Sequence, residues 1–306
     1  MSDLARHVDD YLRLRRALGF KLEREGHDLP QLVSYIEAAG AATLTVDLVI
    51  AWAGLPQGVQ SIYLVHRLGA ARRFARYLQT IDPTTEVPPT GIWPAKSHRR
   101  VPYLYSDEEV QRLLGAARQL QPPLQAATYE ALFGLLAVSG MRVGEARGLL
   151  RDDVDLADGV LTIKEAKFDR SRLVPLHASA TDALRSYAAV RDRLCPRRTA
   201  KTFFICASGT GLHHTCVHAT FKKLIAAAGL GSATVRPRIH DLRHSFTVRT
   251  FIELYRSGAD VHAHIAALSN YLGHIDPAGT YWYLSAAPEL MELAAAHLDR
   301  RFGGQS

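Results

Sequence analysis

Apolar residues recur at helical spacing through the first 80 residues of this 306-residue chain. Steps of three and four positions place them on one face of each segment, which is the pattern of amphipathic helices. The pattern therefore predicts an all-helical first domain over residues 1–83. Its first helix carries Leu4, Val8, Tyr11, Leu12 and Leu18, and later helices are expected over 28–39, 46–54 and 60–80.

The stretch PTTEVPPTGIWPAKSHRR, residues 83–100, interrupts this pattern. Its four prolines lack the backbone N–H that a helix or a central strand requires, so neither should form here. We predict a linker over 84–100 that joins two domains. The linker has a basic end at Lys96, Arg99 and Arg100, which are candidate DNA contacts.

Helical spacing returns after the linker and is interrupted once. Ser106, with Glu109 three positions later, is the sequence signature of a capped helix start. Between 153 and 176 the period changes to two around Leu161 and Ile163, which predicts a small antiparallel β-sheet in a mainly α-helical domain. This second domain, 101–306, has a turn expected near 168–171 and helices expected over 107–119, 125–139, 178–194, 213–228, 240–257, 260–272 and 287–300.

The chain is basic, with 37 Lys/Arg against 30 Asp/Glu and a net charge of +7. Residues 1–95 contain ten of each sign, so the whole excess lies in 96–306. Such an excess suits a polyanion such as nucleic acid. In the first domain the helix over 60–80 has a basic side with interleaved aromatics. That side is either a solvated surface or a groove contact, and Arg72, Arg73 and Arg76 are its candidate DNA contacts.

Three further features narrow the class of protein. No run of about 18 apolar residues is free of charge, which argues against a membrane span. The N-terminal residues mix acids and arginines where a signal peptide needs an apolar stretch. The three cysteines form an odd count without a CxxC motif, which fits a reducing compartment.

The stretch SGMRVGEARGLL, residues 139–150, places an arginine between two helices. Gly140 ends an apolar helix, and Arg142 lies in the connection, where its planar fork can face an anion. Glu145, three positions later, either orients the site by hydrogen bonding or serves the short helix that follows.

The stretch HDLRHSF, residues 240–246, gathers ionisable groups at a predicted helix start. His240 and Arg243 are three positions apart and share one face, and a helix start favours anions. A histidine there can exchange a proton near neutral pH. Asp241 and His244 are expected to make structural hydrogen bonds.

The stretch YLGHIDPAGTYWYL, residues 271–284, contains a glycine–histidine pair at His274, then a bend and three aromatic residues. Tyr281, Trp282 and Tyr283 would ordinarily belong to a core, but a tyrosine hydroxyl can also act as a nucleophile.

In chain order, Arg142, His240-x-x-Arg243, His274 and then Tyr283 nine residues later resemble the active-site signature of the tyrosine recombinases, the phage integrase family. The lysine that this family carries in a β-hairpin has a counterpart in LTIKEAKFDRSRLVPL. The resemblance extends over the whole chain. It implies a helical, SAM-like core-binding domain, a linker and an α+β catalytic domain that form a C-shaped clamp.

The resemblance implies a role for each of these residues in cutting and rejoining DNA. Tyr283 would be the nucleophile that forms a 3′-phosphotyrosine. Arg142 and Arg243 would hold the non-bridging oxygens of the anionic transition state, so no metal is required. The other roles would belong to Lys167, which protonates the 5′-oxygen, to His240, which assists proton transfer at the tyrosine, and to His274, which hydrogen-bonds the phosphate.

Two of these assignments have a competitor. Lys164 competes with Lys167, which is favoured because it lies at the hairpin turn, where the family places its lysine. This hairpin departs from the Gly-Lys-Gly turn common in the family. Tyr281 competes with Tyr283, which is favoured by its nine-residue step from His274.

The stretch GLHHTCVHATF, residues 211–221, has the composition of a zinc site. No second cluster completes a tetrahedral set at the usual spacing, so phosphate contact from this helix start is expected instead. We predict no metal site and no nucleotide cofactor. The residues considered as zinc ligands are His213, His214, Cys216 and His218.

Two other functions are compatible with this architecture: a catalytically silent DNA-binding accessory subunit and a type IB-like topoisomerase. Competent residue types at all six catalytic positions argue against the first. The predicted helix 287–300 argues against the second, because in the recombinases the C-terminal segment docks onto a neighbouring protomer. We therefore expect a cytoplasmic, nucleoid-associated recombinase for integration, transposition or chromosome resolution. It would act on double-stranded DNA sites as a homotetramer on synapsed DNA or together with related recombinases.

Overall fold

The chain divides into two compact units, Met1–Arg100 and Val101–Ser306. The described part is mainly α-helical with one three-stranded antiparallel sheet, which confirms the predicted fold class. Within that part, no helix combines the length and the apolar character needed to cross a bilayer. The computed structural model describes residues 2–95, 101–164, 171–232, 234–273 and 290–292.

Four helices build the first unit around a core that includes Leu32, Trp52 and Phe74. Arg67, which the sequence places on the basic helix, is buried in this core. Its guanidinium lies 3.9 Å from the centre of the Trp52 ring and donates a 3.2 Å hydrogen bond to the Trp52 carbonyl. The helices are α1 (Asp3–Ala17), α2 (Glu23–Ala38), α3 (Val46–Gly54) and α4 (Ser61–Leu78).

Helix α2 begins at Glu23, five residues before its predicted start at 28. Its first turn is polar and largely solvent-exposed, and burial begins at Asp28 and Leu29. Hydrophobic periodicity reports only the buried face of a helix, so it gives no signal for the exposed turn.

The proline-rich segment 84–95 forms neither helix nor strand and packs against the helices of the first unit. Arg72 of α4 donates two hydrogen bonds of 2.9 Å, to the carbonyls of Pro88 and Pro89. A guanidinium can satisfy two adjacent carbonyls at once, so Arg72 fixes this irregular segment. The domain boundaries at 83 and 100 stay predictions, and Lys96, Arg99 and Arg100 lie outside the described residues.

The second unit is centred on α6, which packs against α5, α8 and α10. Helix α5 starts at the predicted capping box: the Ser106 hydroxyl accepts from the Glu109 N–H (3.2 Å), and the Glu109 carboxylate accepts from the Ser106 N–H (3.0 Å). The elements of the second unit are α5 (Asp107–Arg118), α6 (Pro123–Ser139), α7 (Val143–Gly148), β1 (Val154–Asp155), β2 (Val160–Lys164), β3 (Ser171–Pro175), α8 (Ala178–Leu194), α9 (His214–Ala227), α10 (Ile239–Arg256) and α11 (Val261–Leu272).

Strand β2 is the central strand of the sheet and pairs antiparallel with β1 and β3. Its register with β3 sets Leu161 opposite Val174 and Ile163 opposite Arg172. Leu161, Ile163 and Val174 are buried, while Leu173 is 64% exposed, so Arg172 shares the inward face with Val174. The predicted turn falls on residues outside the described ranges, apart from Ser171.

Helices α10 and α11 pack together through a separate apolar cluster that includes Phe251, Ile265 and Leu268. Leu290 is buried in the same cluster, whereas Met291 is exposed. The described residues 290–292 are helical, and the rest of the helix predicted over 287–300 lies outside the described residues.

Candidate active site

The two predicted catalytic arginines meet at the C-terminal end of α11. Arg142 Nη2 donates a 2.7 Å hydrogen bond to the Gly273 carbonyl, and Arg243 Nη2 donates a 2.8 Å bond to the Leu272 carbonyl. Arg243 Nη1 also donates to the Gly140 carbonyl at 2.8 Å. The last carbonyls of a helix have no intrahelical partner and carry partial negative charge, so this end attracts guanidinium groups.

The two arginines differ in burial. The Arg243 side chain is 1% exposed, which fits its two bonds to fixed backbone carbonyls. The Arg142 side chain is 39% exposed and sits at the N-cap of α7. A guanidinium presents its donors in a planar fork that matches phosphate oxygens. The arrangement therefore provides two cations of fixed position, one of them open to solvent, beside one helix end.

Glu145 connects Arg142 to the sheet. Its Oε1 accepts from Arg142 Nη1 at 2.8 Å, and its Oε2 accepts from the Arg142 backbone N–H at 3.0 Å. Arg172 of β3 donates to the same Oε2 at 2.7 Å. Burial alone would raise the pKa of Glu145, but the bonds from Arg172 and Arg142 and their charges bring it below its usual value. Both sequence interpretations of Glu145 therefore hold, because it caps α7 and also orients an arginine.

His240 lies in the first turn of α10 and is solvent-exposed on one side. Packed atoms on the other side exclude water from the ring. This desolvation, followed by the positive charge of Arg243, lowers the pKa of His240 below its usual value. The Asp241 carboxylate opposes this decrease in the pKa, and the charge of Arg142 adds to it. The imidazole is therefore neutral at pH 7.

Asp241 makes the structural hydrogen bonds that the sequence predicts. Its carboxylate, 1% exposed, accepts from the Arg238 backbone N–H (2.8 Å) and from Arg238 Nη2 (2.7 Å). These contacts close the start of α10. The ring of His244 lies 4.8 Å from that of His240 in an edge-to-face arrangement.

Of the two candidate lysines, the structure describes Lys164. Its Nζ lies 2.5 Å from Asp153 Oδ1, and the Asp153 side chain is buried. This ion pair directs Lys164 towards the 3₁₀ turn Arg151–Asp153 that precedes β1. The other predicted residues, Lys167, His274, Tyr281 and Tyr283, lie outside the described residues.

The histidine-rich start of α9 is the stretch with the composition of a zinc site. Over the described ranges, no three His, Cys, Asp or Glu side chains are grouped closely enough to hold a metal ion. The rings of His214 and His218 are tilted by 47° to each other, with centres 4.2 Å apart. His213 shares a hydrogen bond with Thr215, and Cys216 is exposed.

The candidate DNA contacts of α4 have different surroundings. Arg72 holds the proline-rich segment, and Arg73 pairs with Glu25 at 2.8 Å. Arg76 lines a cleft of about 280 Å³ together with Arg15 and Arg73. In the second unit, a groove of about 470 Å³ between α5, α6 and α8 contains none of the predicted catalytic side chains. This groove is therefore not the candidate active site.

Arg172 was not singled out in the sequence. The available signal was an arginine two positions before a buried valine, because residues i and i+2 of a strand share a face. An inward-facing arginine requires a partner, and here Glu145 provides one.

Comparisons with known proteins agree with this fold. The model of the phage integrase family matches residues 104–289. A Sinorhizobium fredii protein with the provisional name integrase/recombinase y4rB is 42% identical, over 99% of this chain and 99% of that protein. The tyrosine recombinase XerD of Brucella suis is 30% identical, over 95% of this chain and 90% of its own length. The structure of a lambda integrase tetramer bound to a Holliday junction has a TM-score of 0.62 at 18% identity, covering 92% of this chain and 78% of that one.

The helical fold with its small sheet is therefore that of a family of DNA recombinases. This chain belongs to the phage integrase family. It is a tyrosine-type site-specific DNA recombinase.

Proposed function

We propose that Tyr283 attacks the scissile phosphodiester and forms a 3′-phosphotyrosine. The bond from phosphorus to the 5′-oxygen breaks, and Lys167 gives that oxygen a proton. The tyrosine proton leaves with the assistance of His240. In the rejoining step, the 5′-hydroxyl of the partner strand attacks the phosphotyrosine and releases Tyr283. No external energy source is consumed, because the covalent link preserves the phosphodiester bond energy.

In this proposal, Arg142 and Arg243 bind the non-bridging oxygens of the phosphate, and His274 donates a further hydrogen bond. The observation that carries the proposal is that both guanidiniums are anchored at one helix end, through the adjacent carbonyls of Leu272 and Gly273. Donors that are fixed before the reaction stabilise developing charge without reorganisation. His274 follows these two carbonyls directly in the chain.

One contact and one pKa shift support the choice of acid and base. Lys164 is paired with Asp153, which favours Lys167 as the general acid. A neutral His240 can accept a proton from the attacking tyrosine, and its lowered pKa keeps it neutral at pH 7.

The DNA partner and the assembly are part of the same proposal. We infer that the protein acts on double-stranded recombination sites in the cytoplasm, at the nucleoid. Four protomers, identical or from related recombinases, would synapse two sites. The lambda integrase tetramer on a Holliday junction supports this arrangement, and the charge excess of residues 96–306 suits a DNA partner. The candidate contacts Arg73 and Arg76 would bind the DNA backbone.

Covalent trapping tests the proposed nucleophile. The substrate is a nicked duplex built on inverted repeats from the genomic DNA that flanks the gene, selected by footprinting for those that the protein protects. Loss of the short strand beyond the nick prevents rejoining, so a covalent adduct accumulates. We expect a denaturation-resistant adduct from the native enzyme and from Tyr281→Phe, and none from Tyr283→Phe. An adduct that persists in Tyr283→Phe refutes the assignment.

A further inference from the structure

Three arginines from three separate elements bind the end of α11. The third is Arg172 of β3, which is held between this helix end and Glu145. The free carbonyls at a helix end are ordinarily satisfied by water or by a cap. Here three consecutive carbonyls each accept a hydrogen bond from a different arginine. The pairs are Arg172 Nε with the Tyr271 carbonyl (2.9 Å), Arg243 Nη2 with the Leu272 carbonyl (2.8 Å) and Arg142 Nη2 with the Gly273 carbonyl (2.7 Å).

Arg172 also binds Glu145, the carboxylate partner of Arg142. Its Nη2 donates to Glu145 Oε2 at 2.7 Å, and both side chains are only 13% exposed. Glu145 in turn accepts from Arg142 Nη1 at 2.8 Å. The carboxylate therefore lies between two guanidiniums, and its position depends on both. Loss of Arg172 would leave a buried carboxylate with Arg142 as its main charged partner, which would draw Arg142 towards it.

We propose that Arg172 is a positioning residue for DNA cleavage, which fixes Glu145 against the end of α11 and thereby sets the direction in which Arg142 faces the scissile phosphate. This inference rests on the proposed function, in which Arg142 is a phosphate ligand. Arg172 acts through Glu145 and the Tyr271 carbonyl and needs no contact with DNA. Its register opposite Ile163 places the guanidinium on the inward face of the sheet.

Only arginine can perform this role. Its donors to Glu145 and to the Tyr271 carbonyl lie on different atoms of one rigid plane. The lysine ammonium is a single point, so Arg172→Lys would keep the charge near Glu145 but would not hold both partners in the same geometry. Arg172→Lys therefore separates positioning from simple charge compensation.

The chain offers a matched control in Arg191 of α8. Its side chain is 1% exposed, and it bridges one carboxylate and one backbone carbonyl, as Arg172 does. Nε donates to Asp192 at 2.9 Å, and Nη1 donates to the Phe203 carbonyl at 2.7 Å. Arg191→Lys disturbs the same kind of bridge without touching the arginine site, so it reports the effect of lost stability alone.

The experiment measures single-turnover cleavage of the nicked duplex at saturating protein, with affinity from mobility shifts and stability from thermal melts. We expect Arg172→Lys to slow cleavage by about 10-fold or more while affinity changes by less than about 3-fold, because misplacement of a reacting group affects the chemical step. We expect Arg191→Lys to lower the melting temperature about as much as Arg172→Lys does, and to leave cleavage within about 2-fold of the native rate. Arg172→Ala should be slower still if it folds, and Arg172→Lys alone decides the question if it does not.

A second substrate distinguishes positioning of the phosphate clamp from general damage. A methylphosphonate at the scissile position carries no charge, so an arginine contributes less to its cleavage than to cleavage of the phosphate. The cleavage defects of Arg142→Ala and Arg172→Lys should both shrink on this substrate, whereas any defect of Arg191→Lys should stay the same.

The outcomes separate the two levels of the argument. If the native enzyme forms no adduct, or if Arg142→Ala cleaves at the native rate, the proposed function fails. If Arg142→Ala behaves as expected but Arg172→Lys cleaves normally, or keeps its full defect on the methylphosphonate, only the role of Arg172 is wrong.

Discussion

The guanidinium of Arg243 donates a 2.8 Å hydrogen bond to the backbone carbonyl of Gly140, a residue 103 positions earlier in the chain. Gly140 ends α6 in the left-handed conformation, with φ of +60°. That conformation turns the chain so that Arg142 follows as the N-cap of α7. The bond thus joins the α6–α7 connection, which carries Arg142, to the side chain of Arg243.

Gly140→Ala should destabilise the second unit and slow cleavage. An added Cβ would lie 2.5 Å from Cδ1 of Phe246 and 3.1 Å from Cδ2 of Leu272, and alanine is disfavoured at positive φ. We expect a loss of about 2 kcal/mol or more in the free energy of unfolding, measured by urea denaturation.

Gly258→Ala is the matched control for Gly140→Ala. Gly258 also has positive φ, +72°, but an added Cβ would meet nothing within 4 Å. We expect a loss of about 1 kcal/mol and an unchanged cleavage rate. Equal losses for the two variants would show that the contacts with Phe246 and Leu272 do not matter.

Arg142→Ala should reduce the single-turnover cleavage rate by about 100-fold or more, the scale of a lost oxyanion donor. The affinity for the duplex should fall far less, because we expect other cations of this basic chain to contact the DNA backbone as well. Arg243→Ala should have the same effect on cleavage, and a thermal melt must accompany it because Arg243 is buried.

Arg118→Ala is the control for Arg142→Ala. Arg118 pairs with Glu130 at 2.6 Å on the exposed surface of the second unit. It should cleave DNA at the native rate. Normal cleavage by Arg142→Ala would contradict the phosphate-clamp role.

The pH dependence of cleavage should report His240. Desolvation and the charge of Arg243 lower the pKa of His240 below the usual 6.5. In the free enzyme the imidazole therefore becomes half-protonated only below pH 6.5. With DNA limiting, the rate should decline on the acid side with a midpoint below pH 6.5. The decline should disappear in His240→Gln. An acid limb centred above pH 6.5, or one retained in His240→Gln, would assign it to another group.

Removal of divalent metal should leave cleavage intact. Two guanidiniums neutralise the phosphate in the proposed mechanism, so no Lewis acid is required. The native enzyme should form the covalent adduct at the same rate with and without EDTA, under conditions in which EDTA stops a magnesium-dependent nuclease. A rate that recovers when Mg²⁺ is restored would point to a different mechanism.

Deletion of residues 287–306 should spare binding of one protomer to one site and abolish recombination between two sites. The predicted helix has an apolar stripe of Met291, Ala294 and Leu298, which suits docking onto a neighbouring protomer. Leu290 packs in the chain's own core, so Met291→Asp is the gentler variant: Met291 is 60% exposed. Both variants should fail to form a synapse in gel-shift assays, and native recombination by Met291→Asp would refute docking through this stripe.

Local patterns in the sequence were sufficient to predict several helix ends and the central strand. The capping box at Ser106 and the glycine stop at Gly140 act within one turn of the helices they bound, so four or five residues contain the whole signal. The alternation around Leu161 and Ile163 likewise predicted a strand, because it depends only on which side of the strand is buried. The order of Arg142, His240 and Arg243 indicated the kind of chemistry through its resemblance to the tyrosine recombinases, since residue type and spacing are properties of the chain.

The tertiary structure decided which partner each arginine has. Arg67 entered a core beside Trp52, Arg72 fixed a proline-rich segment, and Arg172 joined Glu145 to the end of α11. On sequence alone the first two resembled any cation on a basic helix, and the third was one residue of a strand. A guanidinium binds whatever acceptors the fold brings within about 3 Å, and these acceptors come from distant parts of the chain. Hydrophobic periodicity describes one element at a time, so only the packing of α7, β3, α10 and α11 around one set of helix carbonyls could place the arginines of the site.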